Sequence, residues 1–246
     1  MFIRAYENEC FYRGIVLVYV EATANLASDG DSAAWSFDIA HWGVAGHGAT
    51  EGDAVANLLA RVGRSAALGA EGGLGMSGAE IAERISGDEQ AFVRDGMPHT
   101  PAELRETLRI LDASRVQTLA LARGASDAQL DWRDPERVLP SWATWNTPRE
   151  VLWHIVDTES RYYLPALGLP ALPRGTDIID ELQASALYVR RALETLPDAP
   201  IVHATERGQW TTVKLLRRLA WHERAELRGL RNLLGKAPVP EFGRGL

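Results

Sequence analysis

From Thr100 onward, apolar residues recur every three or four positions, and the pattern holds almost to the end of the chain. That period is helical. Thr100-Pro101-Ala102-Glu103 and Thr147-Pro148-Arg149-Glu150 are two copies of one start signal. Each offers a threonine cap, proline at the first helical position and a glutamate that can reach back to the cap. The first start opens a helix carrying Leu104, Leu108 and Leu111 that ends before Gly124. The second opens a helix with Val151, His154, Ile155, Thr158 and Tyr162 on one stripe, ending near Pro165. A third helix is expected over about 177–196, around Leu182, Val189 and Leu193, and a fourth over about 211–234, stopping at Gly235. Four amphipathic helices of this length predict a four-helix bundle. The segment between Gly124 and Asn146 holds Trp132, Trp142 and Trp145, so it reads as an ordered crossover packed on the bundle.

The first 95 residues follow a different rhythm. Ile15 to Val20 is β-branched and aromatic, and Trp35 to Ala40 alternates apolar with small or polar residues, so both predict strands. Ser28-Asp29-Gly30-Asp31-Ser32 is the turn between them. Glycine-rich Gly43 to Thr50 leads into a helix from Glu51 to about Arg61, with Ala54, Leu58 and Val62 on one face and Thr50 as its cap. Ala66 to Gly78 contains five glycines and reads as a connection or hairpin. A phosphate-binding loop is disfavoured there, because neither Gly-Lys-Ser/Thr nor Gly-x-Gly-x-x-Gly is present. Asp95-Gly96-Met97-Pro98 breaks the chain again. The expected fold class is therefore α+β in two domains, a small β-rich module over 1–95 and a helical bundle over 96–246.

Composition narrows the function classes. Hydrophobic residues make up 46% of the chain and charged residues 24%, as in an ordinary globular protein. Residues 1–99 hold 6 basic against 14 acidic side chains, which disfavours a broad nucleic-acid surface. The apolar run Ile15 to Val20 is too short to span a bilayer, and no basic-then-apolar leader opens the chain, so the cytoplasm is the expected location. A single cysteine, Cys10, excludes an internal disulfide and a cysteine-rich zinc site.

The chemistry sits on the apolar stripes. On the fourth helix Leu215, Leu219, His222, Glu226, Leu230 and Leu233 share a face, and Lys214, Arg217, Arg224, Arg228 and Arg231 lie opposite. A buried carboxylate calls for a partner. His222 and Glu226 are four residues apart and project together. His154 from the second helix would complete a three-ligand site with open positions. The plainer alternative is a hydrogen-bonded core, with Glu226 paired to Arg218 or to His222. His41, His47, His99 and His203 fall in turns or a strand, and no carboxylate cluster supports a second site around His41 and His47.

Two runs carry a family likeness. Residues 100–236 resemble the DinB/YfiT-like superfamily of four-helix metalloproteins, which is related to mycothiol-dependent maleylpyruvate isomerases. The likeness rests on Glu150-Val151-Leu152-Trp153-His154-Ile155-Val156-Asp157-Thr158-Glu159, on Trp210 through Arg218, and on Trp221-His222-Glu223-Arg224. The resemblance implies one histidine on the second helix joined by two at His-x-x-x-His spacing on the fourth, binding zinc, nickel or a similar ion. His154 and His222 match, and Glu226 stands where the third histidine is usual. A carboxylate there tilts the donor set toward iron or manganese and remains workable for zinc. Phe37 through Leu58, with its glycine-rich turn and Thr50-Glu51-Gly52-Asp53-Ala54, is similar to HicB-like antitoxin domains, which implies a binding or regulatory module.

Together these readings predict a divalent-metal-dependent enzyme, with metal on His154, His222 and Glu226. The family likeness implies a thiol-dependent S-transfer or isomerisation, or else hydrolysis. Its partners would be a small-molecule substrate and a low-molecular-weight thiol, with a homodimer left open and no membrane. The alternative is a non-catalytic protein that binds a ligand or partner beside a degenerate metal site. No catalytic base is assigned.

Overall fold

The computed structural model describes residues 15–69, 78–87 and 89–238. Cys10 and most of the glycine-rich stretch Ala66–Gly78 lie outside them. Near the start of the chain, strands β1 (Ile15–Ala22), β2 (Ser32–Trp35) and β3 (Ala45–Gly48) precede helix α1 (Glu51–Gly69) and strand β4 (Gly78–Ser86). The sheet order is β3-β2-β1-β4; β1 and β4 run parallel and the other pairs antiparallel. Helix α1 supplies the crossover that a parallel pair requires.

Val16, Val18 and Val20 alternate inward along β1 and meet Ala54, Leu58 and Val62 of α1. Thr50 Oγ1 accepts from Asp53 N at 3.1 Å, so the expected cap is in place. Glycine at 46 permits the close approach of β3 to α1, since a Cβ there would lie 2.0 Å from Ala54 O.

Two strand expectations change. Trp35 to Ala40 is not one strand: β2 ends at Trp35, and Ile39–His41 is a turn of 3-10 helix. Asp38 caps that turn by accepting from Ala40 N at 2.9 Å, a local bond that competes with strand pairing. Strands β3 and β4 were not evident from the pattern. Two of the four β3 residues are glycine, and β4 (Gly-Ala-Glu-Ile-Ala-Glu-Arg-Ile-Ser) is half-exposed with weak alternation.

The rest is helical. Helix α2 spans Pro101–Gly124 and α3 begins at Pro148–Asp157. Helix α3 continues through a π-helical segment, Thr158–Tyr163, and a last turn, Leu164–Ala166. Helix α4 spans Ile178–Glu194, and a hairpin of β5 (Val202–Thr205) and β6 (Gly208–Thr211) leads into α5 (Thr212–Lys236). Both capping boxes form as the sequence indicates. Helix α2 packs on α5 and α4, and α3 packs on the same two helices. Helix α5 runs past Gly235 to Lys236, and Ala237 caps it. Among the described residues, no helix is long and apolar enough to cross a membrane.

The largest departure concerns the polar side of α5. Lys214, Arg217 and Arg218 are buried beneath the N-terminal sheet, and only Arg228 and Arg231 of the basic stripe are exposed. Arg217 is bidentate to Asp95, at 2.9 and 2.7 Å, and lies over the Trp35 and Phe92 rings. Arg218 Nη2 donates to Glu21 Oε1 at 2.7 Å, so Arg218 is committed to the sheet and not to Glu226. Lys214 Nζ donates to the carbonyls of Glu89 and Gln209. Gly43 completes the contact: with φ +72° its backbone meets α5, where a Cβ would sit 2.9 Å from Ala220 Cβ.

Candidate metal centre

Helix α3 delivers His154 and helix α5 delivers His222 and Glu226. One ligand-capable atom from each lies within 4.8 Å of the other two. His154 Nε2 and His222 Nε2 are 3.3 Å apart, and His154 Nε2 is 3.9 Å from Glu226 Oε1. Two nitrogens bound tetrahedrally at about 2.0–2.1 Å from zinc stand roughly 3.3–3.4 Å apart. The histidine pair already has that spacing, and the Glu226 oxygen, at 3.9 Å from His154 Nε2, stands near enough for the three to be candidate ligands of one divalent ion.

Protonation states agree. Burial pushes His154 down to about 2, with the charges of His222 and Arg137 adding to the effect. Burial also lowers His222, against the pull of Glu226 and Glu223. Both imidazoles are therefore neutral at physiological pH, the form that binds a metal. Glu226 is raised by burial and opposed by His222 and Arg137, which marks a carboxylate short of positive charge.

The π-helical segment sets the neighbours of these groups. Thr158 Oγ1, four residues on from His154, lies 3.2 Å from its Nδ1, and Glu159 faces His222. Glu159 Oε1 lies 3.5 Å from His222 Nδ1, too poorly aligned for a hydrogen bond, and both atoms are buried without a partner among the described residues. A carboxylate behind a histidine in this way orients the ring of a metal ligand. Arg115 joins Glu159 and Glu223 beneath, at 2.6 Å each. Burial pushes Glu223 up to about 8 despite Arg115, with Glu159 adding to the rise.

Trp145, from the crossover, stacks on His154 with centroids 3.5 Å apart and planes 12° off parallel. The tryptophan-rich segment thus serves the site as well as the core.

The three residues open on a cavity of about 400 Å³. Its walls are aromatic, with Trp142, Trp145, Tyr162, Tyr163, Trp210 and Trp221, and it extends to Arg218 and Arg207. Asn25, Leu26 and Glu89 of the N-terminal region also line it. Glu89 holds φ 61°, a left-handed conformation uncommon outside glycine and asparagine. Trp210 Nε1 donates to its carboxylate at 3.1 Å and Lys214 to its carbonyl, which fixes the strained residue at the cavity wall.

All three residues singled out by spacing meet at this point. Glu159, Arg115 and Trp145 escaped sequence reasoning. Glu159 follows Ile155 by four residues on the buried side of the helix, but its place behind His222 and its bond to Arg115 depend on two other helices. His41, His47, His99 and His203 stay away from the centre; His47 pairs with Asp31 at 3.0 Å and His203 Nδ1 lies 2.9 Å from Ala166 O.

Residues 110–230, just under half of the chain, match the family model of the DinB superfamily. No curated protein and no solved structure matches the chain.

Proposed function

We propose that this protein is a divalent-metal-dependent enzyme of the DinB type, with its ion on His154, His222 and Glu226. The observation that carries the reading is the convergence of these three donors, two of them neutral imidazoles at tetrahedral spacing, on the wall of a cavity large enough for a small substrate. The presence of a DinB superfamily domain, generally metal-binding, supports it. A bound divalent ion would supply Lewis acidity, lowering the pKa of a water or a thiol so that its anion is available near neutral pH. The reaction class is S-transfer or thiol-assisted isomerisation, with hydrolysis as the other outcome of the same chemistry.

The chain's own residues do the rest. Thr158 meets the His154 ring at Nδ1, Glu159 sets a carboxylate behind His222, and Trp145 covers His154 against water. The aromatic walls receive an apolar substrate body. In this reading residues 96–246 form a DinB-like four-helix bundle and residues 1–95 a HicB-like module. The glycine-rich β3, the Thr50 cap and α1 fall on the residues that carry the HicB likeness.

One observation favours a second reading: the 3.3 Å contact between the imidazoles is also a sound hydrogen bond, as in a metal-free ligand-binding protein. Metal analysis separates the two. Stoichiometric zinc, nickel, iron or manganese in the purified protein, lost in His222→Ala, is the expected result. Metal-free protein that folds unchanged with that substitution would sink the enzyme reading. Metal-dependent consumption of a low-molecular-weight thiol then distinguishes transfer from hydrolysis.

A further inference from the structure

Arg218 lines the cavity and is buried; its guanidinium lies over the Trp35 and Trp221 rings at 5.1 and 6.0 Å, and its one hydrogen bond to a described residue is Nη2 to Glu21. Its Nε is buried without a hydrogen-bond partner among the described residues, and its Nη1 makes no hydrogen bond to them either. Nε is closed off from the cavity, whereas Nη1 is not enclosed in that way and is the donor that can meet an acceptor there. Tyr163 lines the same cavity, and its hydroxyl also has no hydrogen bond to a described residue. Its ring lies 5.7 Å from that of His222 and 5.0 Å from that of Trp210.

Position adds a ruler. Arg218, His222 and Glu226 follow one another at four-residue spacing on α5, so each stands one turn, about 6 Å, from the next. The open donors of Arg218 are thus one helical turn from the proposed metal ligands.

We propose that Arg218 and Tyr163 anchor a carboxylate of the substrate, while its reacting group lies one turn away at His222 and Glu226. The inference rests on the metal-enzyme reading for the identity of the reacting end, but the anchor stands on Arg218 and Tyr163 alone. The Nη1 end of the guanidinium and the Tyr163 hydroxyl each offer a donor to a carboxylate in the cavity, the guanidinium as a charge-assisted one. Charge is consistent with this assignment. Arg218 is balanced by Glu21, and Arg207 lies 4.0 Å from Glu89. A divalent ion against Glu226 then leaves the cavity with one net positive charge for a monoanion. The aromatic walls select a short carboxylic acid with a flat or apolar body. Glu21 is a positioning residue in this scheme: from the N-terminal sheet it fixes the guanidinium, with Trp35 Nε1 donating to its other oxygen at 3.2 Å.

The test uses the full chain and three pairs of probes, namely benzoate, phenylacetate and hexanoate with their uncharged amides. Binding is read by calorimetry and by quenching of tryptophan fluorescence. Tyr163→Phe removes one hydroxyl without changing the fold. The double variant Glu21→Gln with Arg218→Gln replaces the ion pair by an amide pair and leaves no buried charge alone. At least one acid is expected to bind in preference to its amide, and each variant should weaken the acid about tenfold or more while leaving the amide unchanged. Metal content is measured on every sample. Acids that bind no better than their amides, or that bind equally well to wild type and both variants, overturn the proposal. A metal-free protein whose acid binding still depends on Arg218 removes the metal reading alone. A metal-loaded protein whose acid binding ignores Arg218 removes the anchor alone.

Discussion

At the scale of single residues, the proposed centre rests on one carboxylate, Glu226, beside two histidines and on the groups that surround the imidazoles. Supplying a third imidazole with Glu226→His should raise zinc affinity above wild type, as read by competition with a coloured chelator, because an imidazole suits zinc and relieves a carboxylate whose burial is only partly compensated. Lower affinity than wild type would mean that the cavity is shaped around the shorter side chain. Glu159→Gln keeps the size of the group behind His222 and removes its charge. Metal affinity should fall about 10–100-fold, the usual effect of losing a carboxylate behind a ligand histidine. An unchanged affinity would assign Glu159 to the Arg115 network alone.

Lys214 offers a separate check on burial. Desolvation, helped by Arg218 and Arg217 and opposed by Glu21 and Asp95, pushes its amine down to about 7. The unfolded chain, with an ordinary lysine, binds more protons than the folded one between pH 7 and about 10.4. A depressed folded-state value means that the stability from this group is complete above the unfolded value and is lost as pH falls through the folded one. Wild-type stability should therefore rise from pH 7 toward pH 10 relative to Lys214→Met, by up to about 1.4 kcal/mol per pH unit. Parallel urea midpoints for the two proteins across that range would contradict it.

At the scale of elements, caps and an interrupted helix decide where the chemistry points. The Thr147 box starts the helix that carries His154. Thr147→Ala should cost about 1 kcal/mol in urea unfolding, a loss confined to stability if the folded helix still presents His154. Caps of this kind are read directly from Thr-Pro-x-Glu, because the bonds are local. The π segment is different. Its sequence, Thr-Glu-Ser-Arg-Tyr-Tyr, carries no breaker, and Ser160 Oγ donating to Val156 O at 2.6 Å is visible only in the folded helix. Glu159 and Tyr163, both buried, belong to this segment.

At the scale of the whole molecule, the N-terminal sheet and the helical region share one buried polar seam. Arg217–Asp95 and Arg218–Glu21 cross it, and the Trp42 indole donates to Thr107 of α2 at 2.8 Å. Arg217→Ala should destabilise the protein by about 3–5 kcal/mol, because it leaves Asp95 buried and unpaired. Adding Asp95→Ala should recover part of that loss, and additive costs in the double variant would show that the two residues do not work as a pair.

By itself the sequence determined the features that depend on neighbours along the chain. These include the periods of the long helices, both threonine-proline starts, β1, the start of α1 and the alignment of His222 with Glu226. It also pointed to His154, because a histidine on an apolar stripe stands out against its own helix. Only the tertiary structure decided what depends on residues far apart. It buried the basic side of α5 under a sheet, paired Arg218 with Glu21 instead of Glu226 and made Glu89 part of the cavity wall. A helical period reports that two faces differ, but the partner of each face is set by packing between segments more than a hundred residues apart. That is why the three converging donors could be foreseen, while the cavity in front of them and the carboxylates behind them could not.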